Sequence, residues 1–544
     1  MSTREILTLQ FGHYSNHIGA HYWNIQELSF DYTGTQKNEC NHDILYREGQ
    51  NSKGEVTYTP RLLLSDLKGS LKSLPVSGGL PDDALQEEVK WKAVEKIEQS
   101  VEDKNEYLTD IDTKPINEVA TKHYGLENSI NTWTDYLYPR LHPRTINVVK
   151  EYQHGAEKEC FDVFHTGQSI WKQEYGDAFS DKIRNYVEEC DSMQGFQVNF
   201  DCTDGFAGLA LGSIEHLADE YSKPILAYPI IASHYADNNP LTPEQREISN
   251  LKDTFRLVNL AFSVEQLSQI ATFFVPLCTG EKGWRKPGNA IKFDFLNYNP
   301  ELYYHTAAIL ASAMDTLNQK YRHKNNFYTL SDVCTDMTGF GRKMAAASLR
   351  LPLALKQSEY LIEFLDQNEN ALCTSITPSC KIASDKLFQL ITVRGIEESC
   401  LKAPMRAGEK QMNLAAYKCS NVKEMFELYF QAHNLLSATN VTICNNPLQT
   451  KTPYPSIFSE KLNKYGFVSD ENNLTKIESC PVIAGYHSGN FLSHTLEKLH
   501  REVSRIKFAK LHKFRAEGCE AEEFKECLER LSEFKDNYDD DFEL

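Results

Sequence analysis

The sequence predicts an α/β protein built on a parallel sheet, in more than one domain. Three observations carry this. Apolar, strand-like runs alternate with helix-spaced runs. A glycine-bearing loop in "DSMQGFQVNFDCTDGFAGLALGSIEHL" joins a strand-like run, Phe196 to Phe200, to an amphipathic run beginning at Leu209. Strand, glycine loop and helix is a common way to hold a phosphate. Finally, 544 residues, 41% hydrophobic and 24% charged, have ordinary globular composition and exceed what one small core needs.

Taken in order, "REILTLQFG" alternates and stops at Gly12, predicting a first strand. "SNHIGAHYWNIQEL" follows with Ile18, Tyr22 and Ile25 along one helical face and Ser15 as its expected N-cap. "VTYTPRLLLSDL" reads as one apolar run ending in an acidic loop. Residues 79–135 are charged and helix-prone, an insertion packed on or projecting from the first domain. "KPILAYPII" and "ATFFVPLC" read as further strands. "NPELYYHTAAILASAMDTLNQKYR" predicts a long helix, then a mixed region follows to about residue 485. Leu492, Leu496, Leu499, Val503 and Ile506 step at three and four residues, a C-terminal helix. The chain ends in the acidic "DNYDDDFEL".

The net charge of −19 argues against nucleic acid, which needs a basic footprint. It fits partners that are proteins or small molecules. The 14 cysteines form no C-x-x-C pair, and nothing near Cys373 and Cys380 completes a zinc set; reduced thiols of a cytosolic protein are expected. The N-terminus has no apolar signal core. The longest apolar runs fall short of the roughly 20 residues a membrane-spanning helix needs. The expected location is the cytosol, or a membrane surface reached from it. His13, His17 and His21 recur every four residues, but with His13 placed in the loop and no carboxylate in the pattern, a structural role is expected and no metal. Lys507, Lys510, Lys513 and Arg515 read as a solvated helix face, with an anionic lipid surface as the alternative.

Four separated segments resemble tubulins, in order. They are "REILTLQFGHYSNHIGAHYW", "YTPRLLLSDLKGS", "EECDSMQGFQ" and the stretch from "GYHSGNFLSHTLEKLHREVSRIKF" to the acidic end. "LQFGHYSNHIGAHYWN", "LHPRTINVVKEYQHG" and "CDSMQGFQVNFDCTDGFAGLA" are similar to the Misato family rather than to the polymer-forming tubulins. The resemblance implies a tubulin-like fold: an N-terminal Rossmann-like nucleotide-type domain over 1–295 carrying the insertion, a linking helix and intermediate α+β domain over 296–440, and a C-terminal segment over 441–544 with a helical hairpin. It also implies a role in mitochondrial distribution and morphology, with some members tied to the spindle and chromosome segregation. Implied partners are tubulin, the tubulin-folding chaperonin machinery and proteins of the mitochondrial outer surface. Implied locations are the cytoplasm, the mitochondrial surface and the spindle.

The resemblance places a candidate nucleotide site at Gly12, His13, Tyr14, Asn16, Asp66, Gly205 and Gly208. Each loop departs from the tubulin pattern. In "DGFAGLA" only Gly205 and Gly208 remain, while Asp204, Phe206 and Ala210 replace glycines. His13 stands where tubulins have a glutamine, Tyr14 for a cysteine beside the base and Ser15 for a glycine. Asp66 matches the metal-side aspartate, but Lys68 replaces an acid and could face a phosphate instead. In "SDVCTDMTGFGRK" Asp336 survives, while Thr338 takes the place of the water-orienting glutamate. The base-side asparagine is lost near Thr279, while Asn259 matches a family position. The expectation is therefore a pseudo-GTPase, an adaptor that neither polymerises nor turns over GTP. Residual GTP binding stays open, and Gly205 and Gly208 read as turn and packing glycines. The rival is an active GTPase that assembles as tubulin does.

Overall fold

A computed structural model of the chain describes residues 4–30, 39–50, 54, 56–75, 78, 104–156, 159–237, 242–282, 284–324, 327–356, 359–368, 372–383, 386–401, 415–433, 436–473 and 475–539. The chain opens with β1 (Ile6–Phe11) and α1 (His13–Leu28). A hairpin of β2 (Tyr46–Gln50) and β3 (Val56–Pro60) leads into β4 (Leu62–Lys68). Then come α2 (Glu106–Thr113), α3 (Ile116–Thr121), β5 (Ile146–Gln153), α4 (Phe164–Trp171), α5 (Glu174–Glu188), β6 (Gly195–Asp201), α6 (Phe206–Glu220), β7 (Ile225–Ile231), α7 (Pro243–Phe262), α8 (Ser268–Ile270), β8 (Phe273–Phe274) and β9 (Leu277–Cys278). The strands form a parallel sheet in the order β5-β4-β1-β6-β7-β8, with β9 also on β7.

β1, β6 and β7 are buried at every position. Parallel strands covered by helices on both faces are buried on both sides, and here the polar Thr8, Gln10, Gln197 and Asn199 are buried along with the apolar residues. One face packs against α1 and residues from the insertion, Tyr107, Val119, Leu126 and Trp133. The other packs against α4, α5, α6 and α7. The insertion from residue 104 is therefore part of the first core. Its residues 79–103 lie outside the described residues, as do residues 540–544 of the acidic finish.

Two local expectations are corrected. Ser15 does not cap α1. Gly12, at φ 110, is the N-cap, and the helix begins at His13. "VTYTPRLLLSDL" is not one run but two strands, broken after Pro60, so that β3 pairs with β2 while β4 joins β1.

The second part begins with α9 (Tyr303–Arg322), buried at every residue from Tyr304 to Arg322. Such a helix belongs at the centre of a structure, and α9 lies between α1 and the second sheet. After it come α10 (Leu330–Met337), β10 (Ala346–Arg350), α11 (Leu361–Gln367), β11 (Thr374–Ser375), β12 (Lys386–Arg394), α12 (Ala415–Lys418), α13 (Val422–His433), β13 (Leu436–Cys444), β14 (Leu448–Gln449), β15 (Ser479–Cys480), β16 (Val482–Gly489), α14 (Phe491–Val503), α15 (His512–Ala516) and α16 (Ala521–Asp536). The second sheet has the order β11-β10-β16-β12-β13. Residue 440 falls inside β13, and β16 sits mid-sheet, so this layer draws on both sides of that residue. α14 and α16 pack on each other and on α7. Arg530 on α16 pairs with Glu265 at 3.0 Å, and the Trp284 indole donates to the Thr495 carbonyl at 3.0 Å.

Candidate functional site

The loops after β1, β4, β5, β6 and β7 meet at the carboxyl edge of the first sheet, where open α/β sheets bind ligands. They enclose a cavity of about 310 Å³ whose lining includes His13, Tyr14, His154, Asp201, Asp204 and Phe206. That is the small end of ligand sites, which run roughly 300–1,000 Å³.

The first turn of α1 offers amides that suit an anion. Two of them are already taken. Asp201, the last residue of β6, accepts from the Tyr14 amide at 2.9 Å through Oδ2 and from the Ser15 amide at 2.8 Å through Oδ1. Gly12 makes this approach possible. A Cβ there would stand 2.4 Å from Asp201 Oδ2, and its φ of 110° is one that L side chains rarely adopt. A resident carboxylate therefore holds two amides at the helix end.

The glycine loop is equally spoken for. The Gly205 amide donates to the Phe161 carbonyl at 3.1 Å, Phe206 to Asp204 Oδ1 at 2.9 Å, Ala207 to the Asp204 carbonyl at 3.3 Å and Gly208 to the Gly205 carbonyl at 3.0 Å. Gly208 lies inside α6, where a Cβ would come 2.0 Å from the Phe164 carbonyl of α4. At Gly205 a Cβ would meet the Phe161 ring at 2.8 Å. Both glycines serve close packing here, and Gly208 is not gathered with the other candidates.

The cavity is acidic. Burial pushes the Asp201 carboxyl well up, and the Asp204 charge adds to this, against the pull of the two amides. Burial likewise pushes Asp204 up to about 8, with the Phe206 amide opposing. Arg256, also in the lining, is claimed by Asp237 at 2.7 Å and Asp253 at 3.0 Å, and lies 3.8 Å over the Tyr235 ring.

Asp66 is fully buried beneath this surface. Its Oδ2 accepts from Trp133 Nε1 at 2.7 Å and Asn16 Nδ2 at 3.1 Å, and lies 3.4 Å from His13 Nδ1. Gly12, His13, Tyr14, Asn16 and Asp66 are thus brought together. His13 opens α1 rather than sitting in the loop, and a carboxylate does stand beside it. His17 and His21 are held structurally, by the Tyr136 hydroxyl at 3.0 Å and the Tyr304 carbonyl at 2.9 Å. Lys68 is exposed at the end of β4.

Aromatic rings fill the side where the resemblance places a base. Tyr14 packs on Tyr303 at 4.6 Å and donates to Thr306 Oγ1 at 2.9 Å. Asn259 is used as a clamp: its Oδ1 accepts from the Phe164 amide at 2.8 Å, while Nδ2 donates to the Asp162 and Thr203 carbonyls at 2.8 and 2.9 Å. Buried Thr279 donates to Ser233 Oγ at 2.8 Å. In the segment that resembles a hydrolysis loop, Thr338 caps α10 by donating to the Cys334 carbonyl at 2.8 Å, and Asp336 accepts from the Tyr328 hydroxyl.

Residues 4–113 match the Misato Segment II tubulin-like domain, and residues 125–322 match the Tubulin domain. The chain is 36% identical over 577 residues to Protein misato of Drosophila melanogaster, covering 99% of each chain. It is 31% identical over 554 residues to Protein misato homolog 1 of Mus musculus, covering 97% of this chain and 96% of the other. With Protein misato homolog 1 of Homo sapiens it shares 30% over 571 residues, covering 98% of each. The chain belongs to the Misato family. Its α/β architecture is tubulin-like.

Two residues of this Misato-family site escaped sequence reasoning. Asp201 carried a usable signal, an acid closing a strand just before a glycine loop. His154 carried a weaker one, a histidine in the His-Gly turn after β5. Its ring packs 4.0 Å from that of His13.

Proposed function

We propose that the chain is a pseudo-GTPase, a tubulin-like adaptor that regulates mitochondrial distribution and morphology from the cytoplasmic side, with a second role in spindle microtubule assembly and chromosome segregation. The observation that carries the loss of nucleotide chemistry is Asp201 seated on the Tyr14 and Ser15 amides. A phosphate would have to displace the buried Asp201 carboxyl from these two amides and find room beside Asp204. With no acid at Thr338, water activation also lacks an agent. What remains is a surface for partners: tubulin or its folding chaperonin, and proteins of the mitochondrial outer surface. The cellular part of the reading draws on the Misato resemblance. The rival, a GTPase that assembles, has Gly12, Asn16 and Asp66 in its favour, but two of the amides a phosphate would use are held by Asp201.

Calorimetric titration with Mg-GTP tests the site. The parent protein is expected to bind none, while Asp201→Ser with Asp204→Gly, by freeing the amides, gains binding of GTP or of inorganic phosphate. GTP turnover by the parent, abolished by Asp66→Ala, would overturn the reading. A proximity-labelling map in cells tests the adaptor role, which fails if neither mitochondrial-surface nor tubulin-pathway proteins are enriched.

A further inference from the structure

His13 at the start of α1, Asp66 near the end of β4 and His154 just after β5 converge at the floor of the cavity. Their potential ligand atoms lie within 4.8 Å of one another. His13 Nδ1 is already 3.4 Å from Asp66 Oδ2, about the separation of two ligands on a tetrahedral ion with bonds of about 2.1 Å. We propose that these three side chains hold a divalent transition-metal ion, zinc by chemistry, with its remaining coordination position open to the cavity.

The donor set chooses the metal. Two imidazoles and one carboxylate suit zinc or its neighbours, whereas magnesium and calcium take oxygen ligands. The surroundings orient the carboxylate as a second shell would. Trp133 Nε1 fixes Oδ2 at 2.7 Å, and the Leu67 amide fixes Oδ1 at 2.8 Å. His17 packs edge-on at 4.9 Å from His13 but spends its Nδ1 on Tyr136, which sets it apart from the ligand set. Three protein ligands leave a position for water or a substrate group. It faces His13 and His154, which line the same cavity as Asp201 and Asp204. The inference rests on the three ligands, not on the loss of nucleotide binding.

The test uses the full chain, stripped with a chelator, reloaded with zinc chloride, dialysed and measured by plasma mass spectrometry. One zinc per chain is expected. Cobalt(II) in its place is expected to show the intense visible absorption of a tetrahedral site. His154→Ala, at the partly open cavity floor, should weaken zinc binding by on the order of a hundredfold or more, beyond the loss of a mere orienting partner. Cys519→Ser, which breaks the other His/Cys/acid cluster of His165, Cys519 and Glu523, should leave this zinc in place. Zinc no higher in the parent than in a folded His154→Ala, or zinc lost with Cys519→Ser instead, would overturn the proposal. The titration is repeated with GTP. Zinc retained only when GTP is bound would overturn both readings, while zinc and GTP binding independently would overturn the pseudo-GTPase reading alone.

Discussion

Asp201 and Asp315 are both deeply buried carboxylates, and they meet opposite company. Asp315 lies on α9 between two guanidiniums. Arg322 is 3.3 Å from it, Arg394 of β12 is closer still, and Gln26 of α1 donates as well. Asp201 meets two backbone amides and, in place of a cation, the neighbouring Asp204. The first arrangement joins α1, α9 and the second sheet, and its charges are matched. The second sets two carboxyls, both raised by burial, side by side at a cavity.

The largest expected effect breaks the matched site. Asp315→Asn would leave Arg322 and Arg394 buried without a counter-charge. Removing one partner from a buried ionic group costs about 3–5 kcal/mol. Urea unfolding of the purified variant should show this loss, or the protein should fail to accumulate in soluble form. A change below about 1 kcal/mol would mean that water reaches the seam and that the contrast with Asp201 is false.

The next effect sharpens the unmatched site, and it has a sign. Asp204 is raised from an ordinary 3.8 to about 8, burial being the main cause. A carboxyl raised on folding binds its proton more tightly in the folded state. Its contribution is therefore fully present below about pH 4 and is lost as pH rises towards 8. The parent should lose stability over that window. Asp204→Asn keeps an acceptor for the Phe206 amide and cannot ionise, so it should flatten the profile and exceed the parent at pH 9 by on the order of 2 kcal/mol. Parallel profiles for the two proteins would show that Asp204 is solvated rather than buried.

The same contrast explains how much was legible beforehand. Strand and helix runs around β1, β6, α6 and α9 could be read because apolar periodicity is local. So could the departures at Asp204, Phe206 and Thr338, because a motif sets residue against residue. The division at β3 and β4 could not be read, since both halves are apolar and only pairing partners separate them. Nor could the role of Asp201, which depends on meeting α1 across 187 residues of chain. His154 and Asp66 are equally remote in sequence, and parallel strands bring them to one edge only after β4 and β5 pair. The insertion was only half legible for a related reason. Its charge left open whether it packs on the first domain or projects from it, and Tyr107 and Trp133 place its later part in the core.

The smallest effect concerns the rim of the cavity. Lys513 on α15 pairs with Asp162 at 2.6 Å, and their side chains are 36% and 25% exposed. Asp162 lines the cavity, so this contact is where the C-terminal segment touches the acidic site. Two partly solvated charges gain little from meeting, typically about 0–1 kcal/mol, and salt screens most of that. Leu511 and Phe514, both fully buried, hold this stretch whether or not the ion pair forms. Lys513→Ala should therefore lower stability by less than about 1 kcal/mol at low salt, and the difference should vanish in molar salt. A loss that is larger and persists in salt would mean that Lys513 balances the Asp162, Asp201 and Asp204 charges together. The cavity would then be matched after all, as Asp315 is, with the cation supplied from the C-terminal segment.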